Sequence, residues 1–435
     1  MALTGRLQVL LIGPDYRRLW LAQAFSSFGV YLFASTCTVW VATQLFPNST
    51  QLPALVGAVV LAASIPRIVA GPIAGVYADR WHARRTMIVN DSIRAGLFVV
   101  LLFVVQFGEL KHDQIFIVIL VCIILSEISA QFFNPSRAAC MQMVIPADRR
   151  VDAASMSMFS LTGVAIIATA AGPAVFGLFG ARVAIATCIA TYLISCIMTL
   201  RVDDQHQPNR HVAGRFWHDF VDGARVAWGT SALRTVLLGV CLYGVSLGVN
   251  NSVLALFGLK TLGLSPSQYG LLAMMFPGGN LISAIFGGKF IKRLGMHRAY
   301  LIALTALGIG YVGYACVRQL VTACALMLTC GIIFSVYVMC QGPILQEVTL
   351  EGFMGRISAV SAPMMAVTSV VSTLLASQAL SFASRHGLTA GNGTWNDLYR
   401  LFIIFGATFL LIGGGVMYAA QARTKQTPQS PSAES

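Results

Sequence analysis

Twelve stretches of this chain are each long and apolar enough to cross a lipid bilayer as helix: 19–45, 54–78, 86–107, 114–138, 152–178, 182–200, 233–257, 268–289, 299–316, 320–346, 356–382 and 398–419. A hydrocarbon layer of about 30 Å takes about 20 helical residues. Lipid offers backbone N–H and C=O groups no partner, so a spanning segment must satisfy its own or close into a barrel. Barrel strands are alternating segments of about 10 residues, whereas these runs are continuously apolar. The pattern predicts an all-α polytopic membrane protein with 12 transmembrane helices. Charge content agrees: only 10% of the 435 residues are charged, against about 25% in soluble domains. A chain so poor in charge cannot cover a water-facing surface. A soluble enzyme, a disordered chain and a fibrous protein are thereby excluded.

The net charge of +13 would suit a nucleic-acid binder if it formed one patch. Its distribution says otherwise. Taking the connecting loops alternately, 21 of the 29 Lys and Arg fall on the N-terminal side, 6 on the other, and Arg67 and Arg94 lie within spans. The positive-inside rule then puts both termini in the cytoplasm, as an even number of spans requires. No cleavable signal peptide is evident in Met1–Leu11, and the first span is read as its own insertion signal. The expected location is the bacterial inner (plasma) membrane, with the lipid bilayer as partner, no nucleic acid and a monomeric chain. Most cysteines lie in spans as small hydrophobes. No CxxC or His/Cys cluster points to a metal, and no cofactor is expected. Asn48-Ser49-Thr50 and Asn392-Gly393-Thr394 match the glycosylation sequon but are read as chance matches.

The longest polar stretch within the chain divides the spans six and six. The expected organisation is an N-terminal bundle at 1–200, a cytoplasmic linker at 201–232, a C-terminal bundle at 233–420 and a disordered tail at 421–435. Within the linker, Phe216, Phe220, Val221 and Trp228 have near-helical spacing beside basic residues, which reads as an amphipathic helix on the membrane surface. A weak internal repeat supports two related halves: shifted by 213 residues, Gly75, Arg80 and Arg85 fall on Gly288, Arg293 and Arg298.

The turn after the second stretch carries Gly75, Asp79, Arg80, Arg84 and Arg85. It resembles the G-x-x-x-D-R-x-x-x-R-R/K loop of the major facilitator superfamily, at the place where that family has it. The resemblance covers residues 15–420 and implies the major facilitator fold of two six-helix bundles. It implies a cytoplasmic latch in which Asp79 meets the positive end of a helix from the other half. Phe132-Phe133-Asn134-Pro135-Ser136-Arg137, and Gln346-Glu347-Val348 through Gly355-Arg356-Ile357-Ser358, look like the third drug:proton antiporter family, which includes macrolide effluxers and the enterobactin exporter. There Gly355 and Arg356 would cap the start of the eleventh helix beside Asp79. Gly172, Pro173 and Gly177 are similar to the antiporter motif of drug exporters, although Ala168 stands where a further Gly is expected and the fourth stretch lacks the usual early basic residue.

Charge within the bilayer costs about 2.5–3.5 kcal/mol per residue on insertion scales, so the few such residues are informative. Glu127 and Arg67 lie at similar depth in the fourth and second stretches. Glu127 either carries a coupling proton or forms a static pair with Arg67. Asp91 and Arg94, three residues apart on the third stretch, read as structural. Helices 1, 4, 7 and 10 line the path in the resembled superfamily, which implies a cavity with Gln23, Trp40, Asn250, Asn251, Tyr337 and Gln341. The expected activity is proton-coupled export of a small amphipathic molecule, a siderophore or a drug such as a macrolide, by alternating access. The buried Arg67 and Arg94 lean toward an anionic compound. The rival is import of a small metabolite on the same fold. The absence of a nucleotide-binding motif and of a clustered His or Asp site argues against an ATP-driven pump and a membrane enzyme, and a transporter-like receptor is the other less favoured class.

Overall fold

The computed structural model describes residues 13–78, 81–146, 149–203, 231–348, 354–388 and 397–424. They form helices: α1 Pro14–Trp40, α2 Leu52–Ala78, α3 Ala83–Phe107 and α4 His112–Val144, then a run Arg150–Leu200 containing α5 and α6. The second set is α7 Ser231–Leu256, α8 Pro266–Leu294, α9 Met296–Ala315, α10 Leu320–Val348, α11 Met354–Arg385 and α12 Leu398–Thr424. The run Arg150–Leu200 has 51 residues, about 75 Å of helix at the usual rise and twice a bilayer's need. Gly180 divides it with φ 81° and ψ 177°, a left-handed backbone that glycine reaches without a Cβ clash. That break lies in the gap between the fifth and sixth apolar stretches.

Among the described residues, nine helices are long and apolar enough to cross a membrane, or ten if the bent α8 counts as one span. The fused α5–α6 run counts once in that figure, and α9, at 20 residues, is not in it. Counting both gives the 12 expected spans. Local chemistry sets several ends. Pro14 starts α1 where its missing N–H costs nothing. Ser265 and Gln268 form a reciprocal capping box at α8. Gly295, at φ 80°, ends α8 and opens α9. Both α1 and α7 finish in a five-residue π-helical turn, Val41–Leu45 and Phe257–Thr261, a repeat between the halves that composition does not reveal.

Each half packs in the same way. α1 lies against α5 and α6, as α7 lies against α11 and α12; α2 pairs with α4, and α8 with α10. Glycine permits several of these approaches, because without a hydrophobic drive between helices in lipid the backbones must come close to gain dispersion energy. A Cβ on Gly172 would collide with Ser35 and the Leu32 carbonyl of α1, and one on Gly331 with the Phe276 carbonyl of α8. Large apolar side chains remain on the outside, among them Phe107, Leu178, Ile309, Val321 and Val416. In water such a belt would be an aggregation surface; against lipid tails it is the required exterior.

The halves meet through α2 with α11 and through α5 with α8. The Gly57 Cβ position is 2.5 Å from Ser377 Cβ, and that of Gly270 is 2.6 Å from the Ala170 carbonyl oxygen. Gly177 faces Pro266, the Ala54 N–H donates to Ser381 Oγ at 2.9 Å, and Lys260 Nζ donates to the Pro47 carbonyl at 2.8 Å. These contacts gather at the end where α1 finishes and α2 begins, so the bundle is closed there. Replacing Gly57 with Val should wedge this seam open. A cysteine at Ser377, which is 1% exposed, should then react several-fold faster with a membrane-impermeant maleimide; an unchanged rate would show that this contact does not hold the seam.

Candidate substrate and proton site

Helix α4 presents Glu127, Gln131, Asn134 and Arg137 along one face, at the three- and four-residue steps that bring side chains to one side. Together with Ser26, Ser27 and Tyr31 of α1, Arg67 of α2 and Arg94 of α3 they line a polar cavity of about 430 Å³. A mid-helix Pro135 removes one backbone donor within this wall.

Arg67 and Glu127 meet across the cavity wall in a two-pronged ion pair. Arg67 Nε donates to Glu127 Oε2 and Nη2 to Oε1, both at 3.0 Å. Such fork-to-fork geometry is the strongest form of charge-assisted hydrogen bond. The pair is lopsided: the Glu127 side chain is 8% exposed and that of Arg67 57%. The carboxylate is therefore held in the wall while its partner reaches into open space. Protonating Glu127 would remove the charge that holds Arg67, and Arg67 has room to leave.

Asp91 and Arg94 form a different arrangement. Their side chains are 0% and 2% exposed. Arg94 Nη1 donates to Asp91 Oδ1 at 3.2 Å and to Ser26 Oγ at 2.9 Å, and Ser26 donates on to Asp91 at 3.0 Å. Ser195 of α6 donates to Asp91 Oδ2, and Arg94 Nε donates to the Ser126 carbonyl of α4 at 3.3 Å. The guanidinium also lies 5.4 Å from the Phe133 ring centre and 5.6 Å from that of Tyr192. Four helices, α1, α3, α4 and α6, are tied at one point.

The remaining expected site residues divide. Gln23 is buried behind the cavity wall, where Arg137 Nη1 donates to its Oε1 at 2.7 Å. Trp40 is packed in the core against Phe176 at 6.1 Å, toward the closed end. Tyr337 is buried in an aromatic stack with Tyr300 at 4.9 Å and Tyr243 at 5.4 Å; Gln341 is half-buried one turn further. Asn250 is buried, its Nδ2 donating to Ser246 Oγ at a long 3.4 Å while its Oδ1 has no partner among the described residues. Asn251 beside it is half-buried. Gly172, Pro173 and Gly177 all lie on α5: Gly172 admits α1, and Gly177 admits α8 of the other half.

Of the turn motif, Asp79 and Arg80 lie outside the described residues, as do the linker helix at 216–228 and the tail from 425. Gly75 is on the last turn of α2, and Gly355 and Arg356 on the first turn of α11. Arg84 donates from Nε to the Thr199 carbonyl and from Nη2 to the Leu200 carbonyl. It thereby caps the C-terminal end of α6, where carbonyls lack helical partners and a positive charge is favoured. Arg85 is exposed.

Arg137 is the functional candidate that the sequence reading counted as a loop charge. α4 continues to Val144, beyond the expected end at 138, and carries Arg137 inside the cavity wall. The signal was present in the apolar Ala138, Ala139, Cys140 and Met141, which continue the helix. Among the described residues no group of three or more His, Cys, Asp or Glu could hold a metal ion. Replacing Asp91 with Asn should leave Arg94 buried without a counter-charge, a loss of about 3–5 kcal/mol for a broken buried pair. It should lower the thermal unfolding midpoint of the purified protein clearly; an unchanged midpoint would contradict the anchoring role.

Comparison with known proteins agrees with this geometry. The sequence profile described as Major Facilitator Superfamily matches residues 19–373. The uncharacterised MFS-type transporter YkuC of Bacillus subtilis (strain 168) is 25% identical over 324 residues, 69% of this chain and 71% of that protein. Macrolide efflux protein A of Streptococcus pyogenes is 23% identical over 342 residues, 74% of this chain and 79% of that one. Among solved structures, a bacterial homologue of the iron transporter ferroportin in an inward-facing state superposes with a TM-score of 0.71 at 13% identity, covering 93% of this chain and 98% of that chain. The nucleoside transporter NupG gives 0.68 at 15% identity, covering 92% and 98%. The two sets of six helices, the seams between them and a profile match over most of the length lead to one conclusion: the chain belongs to the Major Facilitator Superfamily.

Proposed function

We propose that this protein is a secondary active transporter that exports a small amphipathic molecule in exchange for protons by alternating access. The observation that carries the reading is the Arg67–Glu127 pair, a rare carboxylate held in a cavity wall by a partner with room to move away. Charge on Glu127 favours the pair, and a proton on it dissolves the pair, so proton occupancy and wall geometry are linked. With both termini on the cytoplasmic side, the closed end is the outer one and this conformation faces inward. The latch at Asp79, Arg80, Gly355 and Arg356 would close the opposite end in the other conformation. Export is supported by the similarity to macrolide efflux protein A, which also makes drug efflux the first substrate class to try. A siderophore rests on the motif resemblance alone. Arg67 and Arg94 no longer argue for an anionic substrate, because each is matched by its own carboxylate. Import of a small metabolite is the second reading, and the direction of net flux separates the two: cells lacking an exporter accumulate its substrate, and a protonophore brings expressing cells to the same level.

In proteoliposomes with an imposed pH gradient, Glu127→Gln should abolish proton-driven uphill transport and leave the protein folded and monodisperse. Downhill exchange should persist at a reduced rate. Uphill transport retained by this variant would exclude Glu127 as the proton carrier.

A further inference from the structure

The charges on the cavity wall do not cancel. Arg67 is paired with Glu127 and Arg94 with Asp91, but Arg137 has no carboxylate within ion-pair distance among the described residues. Its Nη1 is fixed by Gln23 Oε1 at 2.7 Å, and its Nε is buried without a hydrogen-bond partner. Gln23 is 2% exposed, and its own amide Nε2 is likewise buried and unpartnered. Two adjacent side chains thus hold spare N–H donors away from water, where each unmade bond costs about 1–3 kcal/mol. The wall also carries one unbalanced positive charge. A purely structural Arg in such a place would have been given an acid, as Arg94 was.

We propose that Arg137 and Gln23 form an anion-recognition subsite at the open end of the cavity, which takes a carboxylate or comparable oxyanion of the transported molecule. The inference rests on the transport reading and adds the substrate's charge to it. Arg137 lines the cavity, and the planar guanidinium suits a two-oxygen acceptor. Gln23 holds Nη1 from behind the wall, and Nη2, which is neither bonded among the described residues nor buried, is the edge left to the ligand. Asn134, exposed on the same wall about one turn away, supplies a further amide. Glu127 lies ten residues along α4 from Arg137, about 15 Å at the helical rise. A bound molecule would therefore have its anionic end well removed from the proton-carrying carboxylate, and the two charges would not compete for one guanidinium. The apolar portion would face the other half. The subsite also selects against cations, since an unpaired guanidinium in a low-dielectric wall repels them.

The test uses a matched pair of probes, dansylglycine and its uncharged methyl ester, titrated by fluorescence against the full-length protein in nanodiscs with empty nanodiscs as reference. The expected result is that the wild type binds the carboxylate at least tenfold tighter than the ester. Arg137→Gln should remove that preference, and Arg137→Lys should restore part of it. Arg137→Gln should also keep or raise the thermal midpoint, because it removes an uncompensated charge; a purely structural Arg would show a fall instead. If Arg137→Gln does not fold, Gln23→Leu, which frees the guanidinium, should weaken the preference several-fold. Glu127→Gln should keep the carboxylate preference while losing proton-driven transport, so failure of coupling and failure of the subsite are distinguishable. Equal binding of both probes by the wild type, or a preference untouched by Arg137→Gln, would overturn the proposal.

Discussion

A charge inside the hydrocarbon layer needs a counter-charge or a water-filled cavity, and the N-terminal half is arranged around that requirement. Its membrane-embedded charges have been met in three ways. Asp91 and Arg94 satisfy each other and two serines, with both side chains almost wholly buried. Arg67 and Glu127 satisfy each other across a cavity wall, one member buried and the other half out. Arg137 is met only by an amide oxygen. Burial, exposure and lack of a carboxylate partner thus grade one set of charges, and the proposed roles of anchor, switch and binding group follow that grading. Their chemistry hardly differs; their surroundings do.

The C-terminal half contributes another kind of packing. Tyr243, Phe276, Tyr300, Phe334 and Tyr337 form a connected group of stacked and tilted rings between α7, α8, α9 and α10. Offset rings pack rigidly and add about 0.5–1.5 kcal/mol per pair beyond burial. Tyr243, Tyr300 and Tyr337 are almost wholly buried, so the group stiffens its own half from within. Such bracing would suit the rigid-body rocking that the proposed alternating access requires, and the glycine seams would set its pivot. α2 with α11 and α5 with α8 approach closely at one end, so opening there must separate whole helices. Bending a loop would not suffice.

The spans were legible because lipid leaves no freedom in how a backbone satisfies itself, and even the Gly180 break falls where the apolar pattern lapses. The Arg67–Glu127 pair was legible for the same reason: two costly charges at one depth have few alternatives to meeting. Ser195 was not, because a serine that holds a carboxylate looks in sequence like any small residue in a membrane helix. Trp40 and Tyr337 were placed on the cavity by helix number, but helix number does not fix which face of a helix turns inward. Trp40 lies in the core near the closed end, and Tyr337 is stacked within its own half. Arg137 falls inside the expected stretch 114–138, one residue from its end, where a basic residue reads as one more inner-side charge; α4 runs on to Val144, so it belongs to the wall.

The placement of these charges changes what the cavity can be expected to hold. With Arg67 and Arg94 counted as free, the wall would carry two cations and attract anions of any shape along its length. With both neutralised, positive potential is confined to the Arg137 end. Electrostatic selectivity then depends on orientation: a molecule with its charge at one end enters only one way round. If Glu127 takes the proton as proposed, its protonation would free Arg67 and raise the positive potential of the same wall, so in this conformation the proposed anion and proton sites would strengthen each other by linkage. For the proposed exchange that coupling would have to be reversed by the conformational step. α2 pairs with both α4 and α11, so the helix that carries Arg67 is also one that forms the seam between the halves, and a change at the ion pair would act directly on that seam.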